Sequence, residues 1–356
     1  MKKPFEFKKM TLIKSLVIML SLITFGSCQV EEDNDIVEPL NTSARQQNKT
    51  VNLKVMSYNV FQLPASAIFF GRSGTGYAEE DRARALNRAL IDLEQKGDAP
   101  DVLAIQEGFN QSIETYLFNT VEFQKLYPHR TRLLGLVCDD KISGDCGTLA
   151  TSPLYTNGGL VIFSKYPIEK KAEHAWNSKI IDTYEGYANK GVTYAAIRKD
   201  GELFHFFNTH TNSEQVGYPA SAVRTNQFLE MREFKSGLKI PISEPVIYLG
   251  DMNVETQLEK RTMERFLDAQ SNFELQPGAD GTYSFNNTVV KNTYHTHADA
   301  DHTYNKVLDY ILYSKVHKLP NGNPVMRISS LQARGPAYTG DISDHNPVIT
   351  DFTYHY

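Results

Sequence analysis

The chain has 356 residues, 41% hydrophobic and 22% charged, a composition that supports a large core and excludes a fibrous or wholly disordered protein. Its 37 Lys and Arg face 42 Asp and Glu, and without the five Lys and one Glu of residues 1–28 the balance is about −9. Proteins that live on duplex phosphates carry a basic stripe, so nucleic acid is not expected as the partner.

From the N-terminus, Lys2, Lys3, Lys8, Lys9 and Lys14 lead into an apolar run from Leu16 to Phe25. That run has the length of a signal-peptide core and is too short to span a bilayer stably. Phe25-Gly26-Ser27-Cys28 resembles a bacterial lipobox, which implies lipidation of Cys28 and an exported lipoprotein at the outer membrane or cell surface. Ordinary secretion is the other reading. Residues 29–50 are polar, acidic and patternless, a flexible tether whose Gln29-Val30-Glu31-Glu32-Asp33 resembles an acidic surface-export signal. Residues 51–356 contain no second tether or repeat and read as one domain.

Within that domain, β-branched and apolar runs predict strands at 53–60, 102–106, 159–163, 192–197, 203–208, 246–249, 307–312 and 347–352. Helices are predicted at 79–95, where Ala85, Leu86, Ala89, Leu90 and Leu93 share a face, at 220–234 after Pro219, and at 258–269. Strands mixed with a few long helices indicate a layered α/β or α+β sandwich. Cys138 and Cys146 flank a short Gly/Asp-containing loop, read as a disulfide in an exported protein or as two free thiols.

Chemistry gathers where strands end. Asn59 and Glu107 close two apolar strands, and an amide with a carboxylate is hard-ligand chemistry suited to Mg²⁺. Asp251 and Asn253 follow another strand at i and i+2, which face the same way in extended chain. His345 is the candidate general base, with Asp344 beside it to help hold metal or water and Asp309 to orient its ring. His210 ends a strand, in position to hydrogen-bond a phosphoryl oxygen, whereas His205 reads as structural. His295, His297, Asp299, Asp301 and His302 form a hydrated-loop pattern, since their spacing matches no closed zinc site.

The ordered series Ser57-Tyr58-Asn59-Val60, Gln106-Glu107, Gly158 to Ile168, Asn208-Thr209-His210, Gly250-Asp251-Met252-Asn253, Leu308-Asp309-Tyr310 and Ser343-Asp344-His345-Asn346-Pro347 resembles the endonuclease/exonuclease/phosphatase superfamily. The resemblance implies a four-layer α/β sandwich, two packed mixed sheets flanked by helices with a metal site at one end. Asn157-Gly158-Gly159 through Pro167, Ala188 to Val192 and Gly281 to Asn287 resemble the bacterial neutral sphingomyelinase branch, as does the Cys138/Cys146 loop. That branch implies a monomeric phosphodiesterase using Mg²⁺, with Mn²⁺ or Co²⁺ as substitutes, on a phosphosphingolipid in a membrane. Glu107, Asn59, Asp251, Asn253 and Asp344 would surround the metal. Residues 333–340 depart from the branch, being short and nearly devoid of the large apolar groups of its membrane-dipping hairpin, and Ile68-Phe69-Phe70 is either an alternative lipid contact or core. Two other functions use the same residues differently: a nuclease or soluble phosphatase, and a non-catalytic lipid-binding lipoprotein.

Overall fold

The strands run, in chain order, β1 (Thr50–Gln62), β2 (Val102–Gly108), β3 (His129–Arg130), β4 (Val161–Ser164), β5 (Ile168–Ala175), β6 (Gly191–Lys199), β7 (Glu202–His210), β8 (Val246–Asp251), β9 (Ala269–Gln270), β10 (Phe285–Asn286), β11 (Asn305–Lys306), β12 (Asp309–Ser314), β13 (Arg327–Ile328), β14 (Gln332–Ala333), β15 (Gly340–Asp341) and β16 (Val348–His355). Helices α1 (Glu79–Gln95), α2 (Gln111–Ile113, continuing as a π turn over Glu114–Phe118), α3 (Val121–Leu126), α4 (Ala220–Gly237) and α5 (Gln257–Phe266) lie between them. This computed structural model describes residues 49–64, 78–135, 155–215, 217–272, 285–286, 305–329, 331–333 and 340–356. The N-terminal signal with Cys28, the tether through residue 48, Ile68-Phe69-Phe70, Cys138 with Cys146, and the 295–302 run fall outside those residues. Among the described residues no helix is long and apolar enough to cross a membrane.

Two six-stranded mixed sheets face each other, ordered β13-β16-β1-β2-β4-β3 and β5-β6-β7-β8-β12-β9. Each has one parallel pair at its middle, β1 with β2 and β7 with β8, and the other ladders are antiparallel. The fold class is therefore the expected four-layer α/β sandwich. β1 shows how the layers arise: Val51, Leu53 and Val55 enter the core shared with the second sheet, while Met56, Tyr58 and Val60 enter the core covered by α1 to α3. Period-two alternation on a strand buried on both faces produces this division. Leu86 and Leu90 of α1, with Phe118, Phe123 and Phe163, fill the helix-side core, with ring centroids 4.8 Å apart for both Phe118–Phe163 and Phe123–Phe163. On the other side Phe228 and Met231 of α4 and Met263 of α5 cover the second sheet.

Most predicted elements fall within a few residues of these spans. The exceptions have physical causes. β5 carries Glu169, Lys170 and Lys171 and pairs only with β6, so as a sheet edge it lacks the apolar signal that marks central strands. The strand predicted at 307–312 begins at Asp309, which puts that carboxylate at its first position. His205, buried near the start of β7, bonds the Tyr194 hydroxyl through Nδ1 at 2.7 Å and Glu244 through Nε2 at 2.6 Å. Five residues of strand, roughly 17 Å, separate it from His210, so its role is in the frame.

Candidate active site

The inward face of β1 reads Val51, Leu53, Val55, Ser57, Asn59, turning from apolar to polar toward its C-terminal end. On β2 the same face ends in Gln106, whose amide nitrogen donates to Asn208 Oδ1 of β7 at 2.7 Å and to Ser57 Oγ at 3.0 Å. Asn208 in turn donates to the Ile105 and Val161 carbonyls, so a buried polar connection joins the two sheets beneath the site. It aligns the C-terminal ends of both parallel pairs, where the reactive groups emerge.

Simple alternation would send Glu107 to the helix side with Leu103 and Ile105. Its φ of +56° redirects it, and Asn253 at φ +47° departs similarly after β8. Left-handed backbone at a residue with a side chain costs roughly 1–2 kcal/mol and concentrates at functional sites. Gly159, at φ +67°, lies against this bend, and a Cβ there would come within 3.1 Å of the Glu107 Cα and 2.9 Å of the Phe109 ring.

Pairing then fixes the partners. His210 lies opposite Asp251 in the β7–β8 ladder, and Asp309 lies opposite Asp251 in the β8–β12 ladder. Asn59 Nδ2 donates to Glu107 Oε1 and Asp251 Oδ2, both at 3.0 Å, while its Oδ1 accepts from the Phe61 N–H. Asn59 thus meets the centre as a donor that draws two carboxylates together, its oxygen being turned to the backbone. Asp251 Oδ1 accepts from the Asn253 N–H, and the Asn253 amide nitrogen donates to the Thr211 carbonyl. His345 Nδ1 lies 2.7 Å from Asp309 Oδ2, and its Nε2 lies 3.7 Å from Asp251 Oδ2. Ser343 ties this loop to β1 by donating to the Asn59 carbonyl at 2.7 Å and accepting from the His345 N–H.

Among the described residues two groups can hold a cation: Glu107 with His210 and Asp251, and Asp251 with Asp309 and His345. Asp344 belongs to neither group, although its charge acts on His345. A divalent ion fits this chemistry on two counts. Glu107 Oε2 is buried without a hydrogen-bond partner, and burial together with the facing Asp309 pushes the Asp251 carboxyl up to about 7. Crowded carboxylates short of positive charge are a hard-cation environment. Burial alone would lower the His345 imidazole, but Asp309 and then Asp251 and Asp344 outweigh it and raise it to about 10. His210 moves the other way, well below its ordinary value, because burial and then the Lys190 ammonium and His345 disfavour its charged form.

Sequence reasoning gave Lys190 no catalytic role. Its ammonium lies 3.1 Å from His210 Nε2 and is held by both Glu185 oxygens at 2.9 and 2.8 Å. A neutral His210 therefore accepts from Lys190. The only signal was the Ala188 to Val192 segment, noted for its resemblance alone. Arg82 was also overlooked, although it shares the α1 face of Ala85 and Leu86; buried, it donates to the Val60, Phe61 and Ile342 carbonyls and fixes the backbone on both sides of the site.

Comparison with known proteins places this geometry. Residues 56–345 match the profile described as Endonuclease/Exonuclease/phosphatase family. A Sphingomyelinase C of Leptospira interrogans is 30% identical over 311 residues, covering 84% of this chain and 51% of that protein. This chain spans about half the length of the Leptospira relatives it matches. A Sphingomyelinase C of Bacillus cereus is 28% identical over 346 residues, covering 92% of this chain and 93% of the other. The crystal structure of a Staphylococcus aureus beta toxin variant with bound magnesium ions superposes with a TM-score of 0.64 at 26% identity, covering 84% of this chain and 99% of that one.

Proposed function

This chain belongs to the endonuclease/exonuclease/phosphatase family, and on that premise we propose that it is a Mg²⁺-dependent phosphodiesterase that cleaves sphingomyelin or a related phosphosphingolipid to ceramide and the phosphorylated head group. The observation that carries the reading is the convergence of Glu107, Asp251, Asp309, His210 and His345 at one sheet end, in a chain whose relatives include bacterial proteins named Sphingomyelinase C.

Glu107 and Asp251 would hold the ion, with Asp344 adding negative charge nearby. When bound, a divalent ion supplies the positive charge that offsets the phosphoryl oxygens and the departing alkoxide. With a divalent ion at Glu107 and Asp251 offsetting the carboxylate charge that raises His345, the neutral ring would take the proton of the attacking water on Nε2, because Asp309 occupies Nδ1 and fixes the ring. Asp251, whose Oδ2 lies 3.7 Å from the same Nε2, would orient that water, and Asn253 and His210 would serve the equatorial oxygens, with the Lys190 ammonium 3.1 Å from His210 Nε2. The attack is in line, and the proton lost by water reaches His345.

We propose further that the chain is exported as a lipoprotein through Cys28, which radiolabelled fatty-acid incorporation lost in Cys28→Ser would test. The activity is tested by assaying phosphocholine release from sphingomyelin vesicles beside nicking of plasmid DNA, each with and without chelator. Chelator-sensitive phosphocholine release is expected; DNA cleavage without lipid hydrolysis overturns the reading in favour of a nuclease.

A further inference from the structure

A substrate embedded in a bilayer requires a protein surface that meets it, and the rim of the centre offers one; this inference rests on the activity proposed above. The short 3₁₀ turn Tyr184–Tyr187 leads into β6 at the end of the sandwich where Lys190 meets His210. It is anchored there, since Ser213 Oγ donates to Glu185 Oε1 at 2.7 Å and lies 3.2 Å from the Tyr184 hydroxyl. Three residues of chain, at most about 11 Å, carry Tyr187 to Lys190.

On the outer side of this turn the Tyr187 ring packs against Tyr155, with centroids 5.4 Å apart, and the Lys179 ammonium stands 6.0 Å over the Tyr155 ring. Gly186 is pressed against the Ile181 backbone, where a Cβ would come within 2.5 Å of the Ile181 carbonyl oxygen. The Ile181 backbone thus lies against the residue that precedes Tyr187, and its side chain is 67% exposed, with Tyr155 at 36%. An aliphatic side chain facing solvent next to two phenols and an ammonium is the chemistry of a membrane interface. The aliphatic group enters the acyl boundary, the rings sit at head-group level and the lysine reaches lipid phosphate. Exposed Ile242, by contrast, precedes the start of β8 and so lies toward the end away from Asp251.

We infer that Tyr155, Lys179, Ile181 and Tyr187 form the surface on which this chain sits on a sphingomyelin-containing bilayer, with the mouth of the centre turned toward the lipid. The test uses the full chain carrying Cys28→Ser in every protein, so that acylation is constant. Co-sedimentation with sphingomyelin/phosphatidylcholine vesicles is measured in chelator, and hydrolysis of a monomeric short-chain sphingomyelin is measured with Mg²⁺. Tyr155→Ser/Ile181→Asp is expected to lower vesicle partition at least tenfold and Ile181→Asp alone at least threefold, while Ile242→Asp stays within twofold of the parent. Equal partition of parent and Ile181→Asp overturns the inference. So does a parent that self-associates and becomes monomeric in the double variant with vesicle binding intact. Failure of the parent to hydrolyse the monomeric lipid overturns the proposed activity instead, and the partition measurement still decides the surface.

Discussion

Asp251 and Asp309 occupy directly facing positions at the end of the β8–β12 ladder, and His345 lies between them, 2.7 Å from Asp309 and 3.7 Å from Asp251. Like charges placed opposite each other on a sheet oppose folding. Their persistence here requires a positive partner, and the imidazole is the part of it that the chain itself provides.

Asp309 is a positioning residue, since it reaches the reaction through the His345 ring. Asp309→Asn is expected to lower kcat about 10²- to 10⁴-fold with little change in KM, because the tautomer that leaves Nε2 as the base is no longer enforced. A variant with the wild-type kcat and pH profile would detach Asp309 from the chemistry.

Binding of Mg²⁺ to the Glu107 and Asp251 oxygens should stabilise the folded state by about 2.7 kcal/mol at a hundredfold excess over Kd. Thermal unfolding of wild-type protein is expected to shift upward with Mg²⁺, and Glu107→Gln to respond much less. A transition indifferent to the ion in wild-type protein would refute this arrangement of ligands.

Lys190→Met should lower kcat roughly 10²- to 10³-fold, because the fixed positive charge that holds His210 beside the developing negative charge is removed. It also leaves buried Glu185 without its cation, a destabilising change. Adding Glu185→Gln is expected to recover the unfolding midpoint without recovering kcat. Recovery of both would mean that Lys190 acts on stability alone.

Glu230 on α4 tethers the segment after β5. Burial would raise its carboxyl, but the hydrogen bonds from the His174 side chain, Ser178 and the Asn177 N–H outweigh it, leaving the group below its ordinary value of 4.5. A depressed carboxylate contributes stability above 4.5 that disappears as pH falls through the folded-state value. Glu230→Gln should therefore be less stable than wild type in urea at pH 7, with the gap closing as pH falls well below 4.5. A gap that is constant with pH would assign the loss to packing.

Strand-end chemistry was readable because Asn59, Glu107, His210 and Asp251 each close an apolar run, and that pattern survives in the chain as written. The direction of Glu107 was not readable, since alternation points it to the wrong face and the turn that corrects it is a property of one φ angle. The Asn59 amide was expected to offer oxygen, whereas the Phe61 N–H claims that oxygen from two residues away. Lys190 and Arg82 escaped because a lysine before a strand and an arginine on a helix are ordinary surface residues until tertiary pairing buries them.

The polar link from Gln106 to Asn208 joins the middle strands of both sheets directly under the reactive groups. Amide protons there should exchange only when the whole sandwich opens, so the reactive geometry shares the lifetime of the native state. The surrounding loops carry no such burden, so substitutions at the rim can alter what the site admits without loosening the groups beneath it.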